Sequence, residues 1–283
     1  MTPAADIITA IKNLDLPTYP HNEVLAELRK IGKAGLVMNT LHPTYDVIRV
    51  RPNRDGERFS NIKQLSYKPQ DFNKTYQRGS TPNKTMFYGS STQRDIPGAS
   101  SAIGRITAVL EALPKLREPD AEFEQKVTFS RWTVIEDINL ATICFDKDLH
   151  QNYLDHKHVY EQFEKFLDNY PEYKERTLEL NSFLAKEFSN PEPNGDADFL
   201  YMTSAIYTEM VSEFHYEGVV YPSVRTIGLG INIAINPETA DTKLICSAVG
   251  ETLIVKKKNK DIEIINQQSI ILQQGQTDFE FNP

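Results

Sequence analysis

An α+β fold with a mostly antiparallel sheet is the architecture this sequence predicts. Two observations carry it: β-type segments are split between the two ends of the chain, and a block of helical pattern lies between them. Taken in order, Ala4 to Leu14 and Glu23 to Lys33 place apolar residues at spacings of three and four. They predict an N-terminal helical pair, with Asn22 capping the second helix. Tyr45 to Arg51, rich in β-branched residues, predicts a strand followed by a turn at Asp55-Gly56. Ser60 to Asn83 shows no sustained period, and loops of that length in compact domains are usually functional. Lys84 to Ser90 predicts a short strand. A helix capped by Ser100 or Ser101 then runs to about Leu113, with Ile103, Ile106, Val109 and Leu110 on its apolar face.

Strands are expected at Lys126 to Val134 and Asn139 to Phe145. Helices follow at about Asn152 to Leu167, Glu172 to Phe188 and Ala197 to Phe214, punctuated by Pro171, Pro191, Pro193 and Gly195. The C-terminal part reads as strands at Gly218 to Tyr221, Gly230 to Ile235, Leu244 to Ile254 and Asp261 to Leu272, with Lys256 to Lys258 at a hairpin tip. Residues 1–42 are thus expected to form a helical extension. Residues 43–283 are expected to form the main domain, with a helical insertion at about 150–216.

Composition narrows the function. The chain has 283 residues, 40% of them hydrophobic and 25% charged, enough apolar material for one elaborated domain. No run approaches the roughly 18 apolar residues of a membrane span, and a cytoplasmic protein is expected. Two cysteines, Cys144 and Cys246, can build neither a disulfide framework nor a cysteine zinc site, and read as core thiols. The net charge of −8 argues against nucleic-acid or anionic-membrane partners. Yet between Tyr45 and Asp95 ten basic residues stand against five acidic ones, which suggests a local site for a small anion such as phosphate or pyrophosphate.

The common nucleotide, hydrolase and zinc-protease motifs are absent. His150, Asp155, His156 and His158 resemble a metal cluster, but on a helix positions 156 and 158 point roughly 200° apart, so no metal site is expected. His215 could carry a proton, and Trp132 reads as core.

Three ordered segments stand out: RGSTPNKTMFYGS (Arg78 to Ser90), ITAVLEAL (Ile106 to Leu113) and VVYPSVRTIGLGINIAINPETAD (Val219 to Asp241). Together they resemble the RES domain family, in which a G-R-x-N-x-x-G-x-P-x-x-Y segment precedes a helix with A-x-L-E, then P-S and N-x-x-x-N-P. Arg78 and Tyr88 match the first segment and Glu111 the helix. Pro222-Ser223 matches the P-S, and Asn232 with Asn236-Pro237 the closing signature. Arg49 resembles the arginine of the family's opening strand, with Arg51 close enough to compete. Gln77, Ser80, Asn83 and Thr85 depart from the first motif, and extra residues Ser91 to Ser101 and a helical block are inserted.

The resemblance implies an ADP-ribosyltransferase-like split sheet. It also implies an enzyme that cleaves the nicotinamide–ribose bond of NAD, with phosphate or water as acceptor, often as the toxin of a toxin–antitoxin pair. NAD is then the substrate and no prosthetic group is needed. A helix-turn-helix antitoxin would be the expected protein partner. Glu111 would hold a ribose hydroxyl and stabilise an oxocarbenium-like transition state. Arg78 would offer its fork to the pyrophosphate with Arg49 as a second cation, and Tyr88 a ring face to the nicotinamide. Ser223 would hydrogen-bond the carboxamide or ribose, and Asn232 would line the NAD site. Two alternatives stand beside this reading: transfer of ADP-ribose to a protein or nucleotide, and a catalytically silent ligand-binding module.

Overall fold

The computed structural model describes residues 2–32, 34–91, 102–118, 120–144, 161, 163–190, 197–226, 230–258 and 261–282. Nine strands form one sheet: β1 (Val37–Leu41), β2 (Asp46–Pro52), β3 (Phe87–Ser91), β4 (Phe123–Val134), β5 (Ile138–Thr142), β6 (Gly218–Pro222), β7 (Ile231–Ile235), β8 (Leu244–Lys256) and β9 (Ile262–Ile271). Their order is β1-β5-β6-β7-β3-β2-β4-β8-β9, and among the described residues only the β5–β6 pair runs parallel. The mixed α+β class and the mostly antiparallel sheet therefore agree with the sequence.

The sheet has two short junctions. β2 meets β3 at two residue pairs, Val47 with Ser91 and Ile48 with Ser90, and β5 meets β6 at two, Ala141 with Val219 and Thr142 with Val220, whereas β4 and β8 pair along nearly their full length. The ladder between β2 and β3 ends at its two pairs. Arg49 spans the gap, donating from Nη1 to the Tyr88 carbonyl at 2.6 Å and from Nε to the Leu65 carbonyl at 3.0 Å.

One sheet face carries α3 (Ala102–Ala112) over β2, β4 and β8. The same face carries α1 (Ala4–Lys12), α2 (His21–Arg29), α4 (Pro171–Ser189) and α5 (Met202–Ser212) over β5, β6 and β7. The N-terminal helices share their core with the insertion: Ile7, Ile11, Val24 and Leu28 pack in one cluster with Leu180, Phe183 and Ile206. The other face buries Phe87, Trp132, Val220 and Ile233 beneath Phe59, Leu65 and the C-terminal Phe279 and Phe281. Trp132 meets Phe87 edge-on at 5.2 Å, in the core as expected.

Several elements differ from the sequence reading. α2 starts at His21 behind Pro20, with no side-chain cap, so Asn22 lies in the first turn rather than capping it. β1 falls within the supposed helical extension; its pattern of half-exposed residues around Asn39 lacks the apolar alternation that marks a strand. On α3 the buried residues are Gly104, Thr107, Ala108 and Val109, while Ile106 is 39% exposed. The small residues win because a loop must come close to this helix. The Cβ of any residue replacing Gly230 would stand 1.9 Å from Thr107 Oγ1.

Ser60 to Asn83 folds as short 3₁₀ turns, Ile62–Leu65 and Gln70–Phe72, followed by bridged turns through Lys84. Asn83, where the resembling motif has glycine, takes φ 61°, a left-handed conformation that Asn tolerates better than most residues. Cys144 and Cys246 are buried free thiols. No helix among the described residues is long and apolar enough to cross a membrane. His150, Asp155, His156 and His158, and the proposed caps Ser100 and Ser101, lie outside the described residues.

Candidate functional site

The seam between β2 and β3 opens into a cleft of about 370 Å³, walled by α3 on one side and by the insertion on the other. The cross-strand register sets its floor. Ile48, Ser90, Asn232 and Tyr221 are successive partners across β2, β3, β7 and β6, so their side chains stand on one face in one row. Arg49, Arg78, Tyr88, Glu111 and Asn232 all line this cleft, and Ser223 touches Glu111 from behind. Residues from segments more than a hundred positions apart thus meet at one place.

Glu111 is the centre of the constellation. It follows Thr107 and Ala108 by one helical turn, at the C-terminal end of the buried stripe of α3. Ser223 Oγ and Asn232 Nδ2 both donate to its Oε1, each at 2.7 Å. Oε2 receives no hydrogen bond from any described residue and lies 3.9 Å from Arg225 Nε; the side chain is 28% exposed. Oε1 is fixed, and Glu111 lines the cleft.

Ser223 is held in turn. It is fully buried, its backbone N–H donates to the Gly230 carbonyl at 2.8 Å, and its Oγ accepts from the Arg225 N–H at 3.2 Å. Its hydrogen goes to the carboxylate, so in this arrangement it orients Glu111 rather than a ligand. Ser223→Ala is expected to lower kcat of whatever reaction Glu111 serves by about tenfold, with a small change in substrate affinity. Steady-state kinetics beside an unchanged Tm would check this.

The arginines divide their donors differently from the sequence expectation. Arg78 is buried; it donates to the carbonyls of Phe188 and Asn190 at the C-terminal end of α4, the latter at 2.9 Å. Its guanidinium carbon lies 4.8 Å from the centre of the Tyr201 ring. Two of the donors expected to face a pyrophosphate are therefore engaged by backbone. Burial, with Arg51 nearby, lowers the Arg49 guanidinium to about 10, which leaves it charged at neutral pH. Arg51 donates to the Gln64 carbonyl and Arg58 to that of Asn282, so much of the basic segment binds carbonyls within the fold. Arg78→Met is expected to destabilise the fold by about 2–4 kcal/mol, because it leaves buried carbonyls unpaired. Denaturant unfolding measures that directly.

Tyr88 presents its ring to the cleft while its hydroxyl accepts from the Gly79 N–H at 3.0 Å and pairs with Ser80 Oγ at 2.7 Å. Burial raises its phenol to about 12. Ser80, which departs from the resembling motif, therefore ties the loop to Tyr88 together with the Gly79 N–H. His215 lies exposed in the turn after α5, not in the cleft, and no metal-ligating cluster occurs among the described residues.

Sequence reasoning missed Tyr201, Tyr221 and Arg225, all of which line the cleft. Tyr221 and Arg225 flank Pro222-Ser223, and that adjacency was the available signal. Tyr201 comes from the insertion and carried none.

Comparison with protein-family models, curated proteins and solved structures returned no match for this chain.

Proposed function

We propose that the cleft binds NAD and breaks its nicotinamide–ribose bond, passing ADP-ribose to phosphate or water. The observation that carries this is the Glu111 carboxylate, which lines the cleft with Oε1 fixed by Ser223 and Asn232 and Oε2 without a hydrogen bond from any described residue. A carboxylate so held suits a reaction in which positive charge develops on a bound sugar. Oε2 would accept a ribose hydroxyl. As the C1′–N bond breaks, its electron pair leaves with nicotinamide, which departs neutral, and no strong general acid is required. Phosphate or water then supplies the pair that forms the new bond at C1′, water shedding one proton.

The seam between β2 and β3 supports an ADP-ribosyltransferase-like split sheet, and the ordered motifs support membership of the RES family. Tyr88, Tyr201 and Tyr221 give the cleft aromatic surface for a planar base. On this reading NAD loss would make expression growth-inhibitory, and a protein antitoxin would act by covering the cleft. Nicotinamide release from NAD by the purified protein, in phosphate and in phosphate-free buffer, tests the proposal. Release with ADP-ribose 1″-phosphate as product supports phosphorolysis, and free ADP-ribose supports hydrolysis. No release in either buffer would sink it.

A further inference from the structure

Tyr221 has a position that the motif-matching residues do not explain. It lies on β6 directly opposite Asn232 of β7, so the two side chains leave the sheet on the same face, and Asn232 already touches Glu111 at 2.7 Å. Its ring packs at 5.2 Å against Phe188, the residue whose carbonyl receives Arg78. The side chain is only 5% exposed and lines the cleft, yet its hydroxyl makes no hydrogen bond to any described residue. Its electrostatic neighbours are Arg78, Tyr88, Glu111 and Tyr201, the groups that surround the cleft. The hydroxyl is not among the fully enclosed unpaired polar atoms, so it keeps access to the cleft, where a phenol can donate to what binds there.

We propose that the Tyr221 hydroxyl donates a hydrogen bond to the carboxamide oxygen of the leaving nicotinamide. This rests on the NAD reading of the same cleft and adds to it the group that selects the base. Glu111 holds the ribose, and the base attached to C1′ must lie within a few ångströms of it, which is where the row Asn232–Tyr221 stands. The carboxamide oxygen is a neutral acceptor that suits a phenol. Burial keeps the Tyr221 proton in place well past neutral pH, so it donates throughout the working range. Because the bond would exist in both ground and transition states, it acts on KM more than on kcat.

The test compares NAD with pyridine adenine dinucleotide, which lacks the carboxamide, on wild type and on Tyr221→Phe. The substitution keeps the ring that packs on Phe188. The expected result is a KM for NAD raised about tenfold in Tyr221→Phe with kcat little changed, while kcat/KM for the pyridine analogue stays within about twofold. Inhibition by free nicotinamide should weaken in parallel and inhibition by pyridine should not. Equal losses on both dinucleotides, or no loss on NAD, would overturn the assignment while leaving NAD cleavage intact. Failure of the wild type to release nicotinamide would remove the NAD reading and this inference together.

Discussion

Glu111→Gln is expected to reduce nicotinamide release by about a hundredfold to a thousandfold, the range for removing one preorganised electrostatic group from an active site. The amide keeps the size and an oxygen that Ser223 and Asn232 can still address, so the fold and the cleft should persist. In the proposed reaction, what it loses is the negative charge that would stand opposite the developing oxocarbenium ion. Binding of NAD by calorimetry should change by no more than severalfold, because the rest of the cleft is untouched. A large fall in kcat at nearly constant affinity would mark Glu111 as acting in the transition state. A parallel collapse of affinity would instead make it a binding residue only.

Gly230→Ala should damage the fold and the cleft together. The new methyl group would stand 1.9 Å from Thr107 Oγ1 and 2.9 Å from its Cβ, and Thr107 is fully buried, with its hydroxyl bonded to the Ile103 carbonyl at 2.8 Å. Neither side can yield without moving α3 away from the loop that carries Ser223. The expected cost is about 2–4 kcal/mol, at the upper end for overpacking, read from denaturant unfolding. Activity should fall further than stability alone explains, since Glu111 and Ser223 sit on the two surfaces being forced apart. Adding Thr107→Ala should recover part of the loss, and purely additive effects would contradict a direct clash.

Much of the fold is legible in the sequence because its signals are local. Apart from the helix expected at Asn152 to Leu167, most of which lies outside the described residues, strand and helix patterns from Tyr45 onward largely coincide with β2 to β9 and α3 to α5, and the split of strands between the chain ends correctly gives a non-local, mostly antiparallel sheet. β1 escaped because an edge strand with exposed Met38 and Asn39 has no alternation to read. The buried face of α3 was misjudged for a related reason: periodicity weighs Ile106 above Gly104, but close approach to Gly230 favours small residues.

The site shows the same division. Arg78, Tyr88, Glu111 and Asn232 could be named from ordered motifs, and the fold brings them to one cleft. Their partners could not be named. That Arg78 ends on the carbonyls of Phe188 and Asn190 depends on where the insertion packs, and no spacing in the chain encodes a carbonyl's position. Ser223 likewise reads as a ligand contact until the geometry gives its proton to Glu111. Motifs identify residue types, whereas donors and acceptors are assigned only by tertiary contacts.

Mass analysis of the products left by the purified wild-type protein on NAD would decide whether the cleft between α3 and the sheet seam cleaves it as proposed. The expected result is one nicotinamide per NAD consumed, with ADP-ribose or its 1″-phosphate as the companion product. Intact NAD after prolonged incubation at high enzyme concentration, in phosphate and without it, would contradict NAD cleavage.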